Sequence, residues 1–181
     1  MQRTQRIFLV GPRGCGKTTI GLMLATKLGA RFWDTDLVLQ DLLGRSIADF
    51  VASEGWERFR EEEHKALCLV LEKADVQCPH VVSTGGGIVL GEANRKLLQK
   101  EGFCIYLKAP VVILAERLAK SPNAAQRPSL TGRGLIEELE EVLAARESLY
   151  QEACHSIVPA DQSPEDICCA ILHILPDREQ V

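Results

Sequence analysis

The chain has 181 residues, of which 46% are hydrophobic and 25% charged, and its formal net charge is −4 at pH 7. These proportions are those of an ordinary globular protein and exclude a disordered or fibrous chain. The acidic excess argues against a dedicated nucleic-acid-binding protein, and no apolar run reaches the roughly 20 residues that a membrane span needs. We therefore expect one domain over residues 1–181 that binds neither nucleic acid nor membrane.

Short runs rich in β-branched and aromatic residues alternate with longer segments of helical period. Strands are predicted at Arg6–Val10, Arg31–Trp33, His80–Ser83, Phe103–Leu107 and Ser156–Val158. Helices are predicted at Lys17–Leu28, Leu37–Leu43, Ile47–Ser53, Arg58–Lys73, Glu92–Lys100, Pro110–Leu118, Leu135–Ala153 and Pro164–Leu175. Strands separated by helices favour parallel pairing, so we expect an α/β protein with three layers, α/β/α, around a five-stranded parallel sheet.

Two connections between these elements are long. Residues 119–133, with the sequence AKSPNAAQRPSLTGR, are rich in turn-forming residues and poor in apolar ones. A loop of about this length is usually functional or disordered, and we predict a mobile lid. Residues 73–79 are predicted to be a surface insertion to which we assign no role.

The seven cysteines do not have the pattern of a disulfide framework. Their number is odd, no C-x-x-C pair occurs, and most lie in apolar segments such as FCIYL and DICCAIL. This pattern predicts reduced, buried thiols rather than disulfides or a zinc site. Because the N-terminal segment also lacks the features of a secretory signal, we expect a cytoplasmic protein.

The first predicted strand leads into a nucleotide-binding motif. The sequence GPRGCGKT at residues 11–18 matches G-x-x-x-x-G-K-[ST], and a predicted helix follows it. Glycines let backbone amides converge on phosphate oxygens, and the helix N-terminus favours their negative charge. Lys17 can reach the β- and γ-phosphates, and the Thr18 hydroxyl can bind Mg²⁺. Switches, motors and kinases share this motif, but the small size and the absence of an N-K-x-D guanine motif favour a small-molecule kinase.

Several polar residues could form the acceptor side of such a site. Asp34 and Asp36 follow the second strand, where one could face a metal and the other an acceptor hydroxyl, unless the segment only caps the next helix. Arg60 and Glu63 lie three residues apart on a helix, so they could pair and present a fork to a carboxylate, or form an ordinary solvated face.

Three glycines and two arginines complete the set of candidates. The glycines at 85–87 follow a strand, where they could bring backbone amides close to a ligand or simply form a flexible turn. Arg127 lies in the predicted lid, from which it could stabilise charge on the transferred phosphoryl group. Arg146 lies on the long helix after the lid, and either arginine taken alone is more often a surface charge.

Taken together, these motifs resemble the shikimate kinase family. They are GPRGCGKTT, the D-T-D segment, F-R-x-x-E at 59–63, TGGG at 84–87, R-P-x-L-x-G at 127–132 and R-x-x-L-Y at 146–150, in the family's order. The resemblance implies a P-loop fold like that of nucleoside monophosphate kinases. It also implies transfer of the ATP γ-phosphate to the 3-hydroxyl of shikimate, with Mg²⁺, by a monomer acting in chorismate and aromatic amino acid biosynthesis.

The resemblance also implies a role for each matching residue. It places ATP against Gly14, Cys15, Gly16, Lys17, Thr18, Thr19, Arg117 and Arg127, with Arg117 against the adenine. It places Mg²⁺ on Thr18 and Asp34, and shikimate against Asp36, Glu63, Arg60, Gly86, Gly87 and Arg146. The catalytic residues it implies are Lys17, Asp36 and Arg127. Residues 159–162 depart from the family's aspartate-containing segment, so the resemblance leaves adenine contacts there unassigned.

Three other functions were weighed against this one. The first is a related kinase that acts on another polyol acid such as gluconate, which would not be expected to combine these acceptor-side motifs. The second is a nucleoside monophosphate kinase, whose fold is similar but whose acceptor is not a carboxylated ring. The third is a regulatory nucleotide-binding module without catalysis, which would typically have lost an acceptor-side residue.

Overall fold

In this computed structural model a five-stranded parallel sheet forms the centre of the fold, with the strand order β2-β3-β1-β4-β5. The strands are β1 (Arg6–Val10), β2 (Arg31–Asp34), β3 (His80–Ser83), β4 (Phe103–Lys108) and β5 (Ser156–Pro159). The structure describes residues 6–74, 78–120 and 134–176. Most of the predicted lid, residues 121–133, and the centre of the predicted insertion, residues 75–77, lie outside these ranges.

The connections between strands are helical, as the sequence predicts. The helices are α1 (Lys17–Leu28), α2 (Thr35–Leu43), α3 (Ile47–Lys73), α4 (Glu92–Glu101), α5 (Val111–Ala119), α6 (Leu135–Ala153) and α7 (Pro164–Ile174). A short 3₁₀ turn, Ile88–Leu90, follows β3. The five parallel strands and the helices between them confirm the predicted α/β class.

Alternation along the central strand separates two cores. Ile7 and Leu9 of β1 pack into one apolar cluster with residues of α1, α5 and α7. Phe8 and Val10 point to the opposite face and pack with residues of α3, α4 and α6. Successive side chains of a strand point to opposite faces, so a strand buried on both faces reads as the continuous apolar run IFLV. The predicted three layers are confirmed.

Two local helix predictions have different outcomes. The two helices predicted at 47–53 and 58–73 are confirmed as the two parts of α3, which non-helical backbone at Gly55, with a φ of 83°, separates at a kink. Helix α2 begins at Thr35 rather than Leu37, because the Asp34 side chain caps it.

The thiols are free, but only some are buried as predicted: Cys15, Cys104 and Cys168 are buried, whereas Cys169 is exposed. Cys168 and Cys169 differ because successive helical residues point about 100° apart.

The topology brings three segments to one edge of the sheet. Strands β2, β3 and β1 are neighbours and parallel, so their carboxyl ends lie side by side. The D-T-D segment, the TGGG segment and the phosphate-loop motif follow these three ends in the sequence. In open α/β sheets, ligands bind at this edge. Within the ranges that the structure describes, no helix has the length and apolar character needed to cross a membrane.

Candidate active site

The loop between β1 and α1 has a backbone that suits an anion. Gly11, Gly14 and Gly16 have φ values of 144°, 81° and 98°, which residues with a side chain rarely adopt. Gly16 is also the N-cap residue of α1, and no side chain of the described ranges caps this first turn. The amides of the first turn of a helix have no partner within the helix, so an uncapped turn leaves them to bind a phosphate.

Lys17 folds back over this loop. Its Nζ donates hydrogen bonds to the carbonyl oxygens of Gly11, at 2.7 Å, and Pro12, at 2.9 Å. The side chain is buried, with 9% of its surface exposed, although it borders the cavity in front of the loop. The ammonium is therefore held by neutral acceptors, and the charged oxygens of a phosphate can take their place.

Oxygen atoms gather beside the start of α1. The Thr18 hydroxyl donates to Asp34 Oδ2 at 3.0 Å, and the Ser83 hydroxyl oxygen lies 3.5 Å from that of Thr18. The other Asp34 oxygen, Oδ1, accepts hydrogen bonds from the backbone N–H groups of Asp36 and Leu37 and so caps α2. The capping interpretation of the D-T-D segment is therefore confirmed for one oxygen of Asp34. The other oxygen faces Thr18, and the metal and acceptor roles of this segment remain predictions.

Two carboxylates lie against the first glycine after Thr84. A Cβ atom added to Gly85 would be 2.6 Å from Asp36 Oδ1 and 3.0 Å from Glu63 Oε1, so a side chain here would displace them. The Gly85 amide donates to Thr35 Oγ1 at 3.0 Å. The glycine turn thus packs directly on α2 and α3 and brings Asp36 beside the Arg60–Glu63 pair.

Arg60 and Glu63 form the predicted pair on α3. Arg60 Nη1 donates to Glu63 Oε2 at 2.7 Å, and the Arg60 guanidinium lies over the rings of Phe59 and Trp56, at 4.9 and 5.4 Å from their centroids. A Cβ atom on Gly87 would overlap both terminal nitrogens of Arg60. The guanidinium is therefore fixed by a carboxylate, two aromatic rings and a glycine that leaves room for it.

Glu63 is almost completely buried, with 3% of its side chain exposed. Burial raises the pKa of its carboxyl above the ordinary value, and the charge and hydrogen bond of Arg60, with a smaller effect of Arg146, oppose that rise without cancelling it. The alternative of an ordinary solvated helix face is thus wrong for Glu63, although Arg58 and Glu61, each two residues earlier on the same helix, do form an exposed pair.

Helix α6 brings Arg146 to the same turn. Arg146 Nη1 donates to the Gly86 carbonyl oxygen at 3.3 Å, and the Tyr150 hydroxyl donates to the same oxygen at 2.5 Å. A Cβ atom on Gly86 would be 3.4 Å from the Gly11 carbonyl oxygen, so the glycine turn also touches the phosphate loop. The structure therefore joins the phosphate loop, the glycine turn and Arg146 in space.

One cavity of about 1310 Å³ brings most of the predicted site residues together. Those that line it are Gly14, Gly16, Lys17, Thr18, Thr19, Asp34, Asp36, Arg60, Glu63, Gly86, Gly87, Arg117 and Arg146. Cys15 lies beneath the loop, fully buried. Arg127 belongs to residues 121–133 and lies outside the described residues, so its role remains a prediction.

Arg117 lines this cavity beside the phosphate loop. Its Nη1 donates to the Ala160 carbonyl oxygen at 2.7 Å and approaches the Cys15 carbonyl oxygen at 3.5 Å. The segment after β5 thus supports Arg117 from behind. The predicted contact with adenine remains a prediction.

Sequence reasoning missed two contacts of α6. One is the ion pair between Arg13 of the phosphate loop and Glu138, at 2.6 Å, in which the Glu138 side chain is only 4% exposed. The other is the bond between Tyr150 and Gly86. Tyr150 is part of the R-x-x-L-Y motif and could have been singled out, whereas Glu138 is one of several glutamates on the helix and has no distinguishing signal.

Comparison with known proteins agrees with this geometry. The family model for shikimate kinase matches residues 13–176. Shikimate kinase 2 of Yersinia enterocolitica serotype O:8 / biotype 1B is 52% identical over 176 residues, which cover 97% of this chain and 98% of that protein.

Among solved structures, "Shikimate kinase from Acinetobacter baumannii in complex with shikimate" has a TM-score of 0.87 and 31% identity, covering 96% of this chain and 93% of that one. The shikimate kinase of Bacteroides thetaiotaomicron has a TM-score of 0.85 and 28% identity, covering 94% of this chain and 97% of that one. These likenesses confirm the predicted P-loop kinase fold. The chain belongs to the shikimate kinase family.

Proposed function

We propose that this chain transfers the γ-phosphate of MgATP to the 3-hydroxyl of shikimate through the groups that line its cavity. Family membership establishes the reaction as ATP-dependent phosphorylation of shikimate, and the proposal concerns the atoms that perform it. The observation that carries it is that the phosphate loop with Lys17 and the arginines Arg60 and Arg146 line the same cavity. All these groups come from one chain, so we expect a monomer to be active.

The phosphate loop would hold ATP by its triphosphate. The amides of Gly14 to Thr19 and the Lys17 ammonium would bind the β- and γ-phosphate oxygens, with Arg117 near the base. In phosphoryl transfer the protein contributes mainly position and neutralisation of charge. Lys17 suits this task because its ammonium already lies at the loop. To bind a phosphate it would give up only hydrogen bonds to neutral carbonyl oxygens.

Thr18 and Asp34 fit a magnesium ion. Mg²⁺ prefers oxygen ligands and is commonly held by one or two carboxylates together with substrate phosphates and water. The Thr18 hydroxyl and the Asp34 carboxylate are such ligands, and they lie 3.0 Å apart beside the first turn of α1. Thr18 and Asp34 would hold the ion, and its chemistry there would be neutralisation of the charge that develops on the transferred phosphoryl group.

The acceptor half would hold shikimate by its carboxylate. Arg60 and Arg146 would donate hydrogen bonds to the two carboxylate oxygens, and Glu63 would keep the Arg60 guanidinium in place. The backbone at Gly86 and Gly87 would close this side of the pocket. Arg60 is suited to the role because its pair with Glu63 uses Nη1 and leaves further N–H groups of the guanidinium available.

Asp36 would act on the reacting hydroxyl. As the shikimate oxygen bonds to the γ-phosphorus, the bond from that phosphorus to the bridging oxygen of ADP breaks, and Asp36 would orient the hydroxyl or accept its proton. Its position beside the Arg60–Glu63 pair, against Gly85, supports this assignment. Arg127 and the predicted lid at 119–133 would add charge stabilisation and exclude water, which remains a prediction.

An ADP-release assay coupled to NADH oxidation tests the proposal. ADP release should require both shikimate and Mg²⁺, and two-dimensional ¹H–³¹P NMR of the product should place the phosphate on the 3-oxygen. Gluconate tests the alternative acceptor, and the methyl ester of shikimate, which has no carboxylate charge, tests the arginine clamp. Release of ADP at the same rate without shikimate, or equal efficiency with gluconate or the ester, would contradict the proposal.

A further inference from the structure

Tyr150, the last residue of the R-x-x-L-Y motif, has no part in the function proposed above. It shares an acceptor with Arg146, since both side chains donate to the Gly86 carbonyl oxygen. We propose that Tyr150 is a positioning residue for shikimate: its hydroxyl satisfies the Gly86 carbonyl and so frees Arg146 to bind the substrate carboxylate. This inference rests on the proposed role of Arg146.

The Gly86 carbonyl lies where it needs a donor from the protein. Gly86 is partly buried between the phosphate loop and α6 and borders the cavity. Of the two α6 side chains that donate to its oxygen, Arg146 also lines the cavity, whereas Tyr150 is fully buried. Water cannot take the place of a donor whose side chain is fully buried, so removing that donor leaves the carbonyl with an unsatisfied lone pair at an energetic cost. The donor to this oxygen therefore affects any group that competes for it.

The two bonds to this oxygen are unequal. The bond from Tyr150 is 2.5 Å long, whereas that from Arg146 is 3.3 Å and at the long end of the range for N–H···O bonds. With Tyr150 in place, Arg146 can turn towards a carboxylate without leaving the carbonyl unsatisfied. Without the hydroxyl, Arg146 becomes the donor that the carbonyl retains, and shikimate must compete for it.

The Tyr150 hydroxyl is well held in this role. Its ring stacks on that of Tyr106, with centroids 4.9 Å apart and planes 19° apart. Burial raises the pKa of the Tyr150 phenol, and although the Arg146 charge opposes this, the hydroxyl remains protonated and able to donate throughout the working pH range.

Tyr106 provides a matched control for Tyr150. It is also fully buried and lies in the same ring stack, but its hydroxyl donates to Glu147 Oε2 at 2.6 Å rather than to Gly86. Tyr106→Phe and Tyr150→Phe each remove one buried phenolic hydroxyl and keep both rings. Thermal unfolding of both variants shows whether either has lost its fold.

Steady-state kinetics of the two variants tests the proposal. Tyr150→Phe should raise the shikimate KM about fivefold to tenfold, with kcat and the ATP KM within about twofold of the parent values. Tyr106→Phe should leave the shikimate KM unchanged. Equal shikimate KM values for the two variants, or a fall in kcat alone, would overturn the proposal. Titration with the uncharged methyl ester gives a second measurement, since Tyr150→Phe should not weaken its binding; weaker binding would also overturn it.

A double-mutant cycle with Arg146→Ala separates this inference from the proposed function. If Tyr150 acts through Arg146, adding Tyr150→Phe to Arg146→Ala should not lower kcat/KM for shikimate further. A further loss of fivefold or more would mean that Tyr150 acts independently and would overturn the inference. If Arg146→Ala alone leaves the shikimate KM unchanged, the carboxylate clamp of the proposed function is the part that fails.

Discussion

The phosphate half and the acceptor half of the cavity are built in different ways. The phosphate half is one continuous stretch, residues 11–19, in which most of the groups proposed to bind phosphate are backbone amides. The acceptor half uses side chains of three helices and one glycine turn, spread along the sequence from Asp36 to Arg146. The first half therefore depends on local conformation, and the second depends on the assembly of the whole fold.

The two halves also differ in how their cations are held. Lys17 is held by carbonyl oxygens, whereas Arg60 is paired with the buried carboxylate of Glu63. In the proposed function, a phosphate would therefore bind an ammonium that only carbonyl oxygens hold in these bonds. A substrate carboxylate would bind a guanidinium that is already paired with a carboxylate. We expect substitutions in the phosphate half to act mainly on turnover, and those in the acceptor half on shikimate affinity and its pH dependence.

The largest effect should come from Lys17→Ala. Removing the ammonium leaves the charge on the transferred phosphoryl group without its nearest side-chain cation, so kcat should fall about a thousandfold. Shikimate binding, measured by calorimetric titration, should change little. Lys27→Ala, at the exposed C-terminal end of the same helix, is the control. A fall in kcat of less than tenfold would contradict the distinction between the two halves.

Arg60→Ala should mainly affect the acceptor. Loss of a charge-assisted hydrogen-bonding fork should raise the shikimate KM about a hundredfold, with a smaller change in kcat and none in the ATP KM. The same helix provides a control in Arg58, half of whose side chain is exposed in its pair with Glu61. Arg58→Ala should be kinetically silent. An unchanged shikimate KM for Arg60→Ala would remove Arg60 from the clamp.

The same difference explains what the sequence could predict. The phosphate loop was predicted in full because its residues are contiguous, and the pairing of Arg60 with Glu63 followed from helical spacing. The bonds from Arg13 to Glu138 and from Tyr150 to Gly86 join residues 125 and 64 positions apart. No local pattern specifies such pairs, because they depend on how α6 packs over the edge of the sheet.

Family motifs identified acceptor residues but not their supports. They select Arg60 and Gly87, yet they do not indicate that Gly87 is needed because the Arg60 guanidinium fills the space beside it. The two predicted helices flank the break at Gly55, but the sequence does not indicate how the second part of α3 is directed beyond the kink. A glycine within a helical pattern signals a break, but the direction of the chain beyond it depends on tertiary packing.

Gly87→Ala tests this support, with an intermediate effect. The new Cβ atom would overlap the terminal nitrogens of Arg60, so the guanidinium must move and the shikimate KM should rise about tenfold. In an Arg60→Ala background the same substitution should change the shikimate KM little, because the overlap is then absent. An equal cost in both backgrounds would show that Gly87 acts through the backbone instead of making room for Arg60.

The smallest effect should be that of Glu63→Gln, and it should depend on pH. Because burial raises the pKa of the Glu63 carboxyl, this group takes up a proton at a higher pH than an ordinary glutamate. As the pH falls through that raised value, Arg60 loses its charged partner and kcat/KM for shikimate should decline. Glutamine keeps an acceptor oxygen for Arg60, so kcat/KM of the variant should be only a few-fold lower near neutral pH. The variant should also lack the decline of kcat/KM at acidic pH.

The effect of pH on the thermal stability of the parent, relative to Glu63→Gln, should run opposite to its effect on kcat/KM. A carboxyl whose pKa is higher in the folded than in the unfolded state favours folding when protonated, so its contribution is present at low pH and is lost as the pH rises through the folded value. The thermal stability of the parent relative to Glu63→Gln should therefore fall from acidic to neutral pH. Titration of the shikimate carboxyl affects the parent and Glu63→Gln equally, so it does not contribute to the difference between their kcat/KM profiles. Parallel pH profiles for parent and variant would mean that Glu63 stays charged throughout, and the acceptor half would then be no more sensitive to pH than the phosphate half.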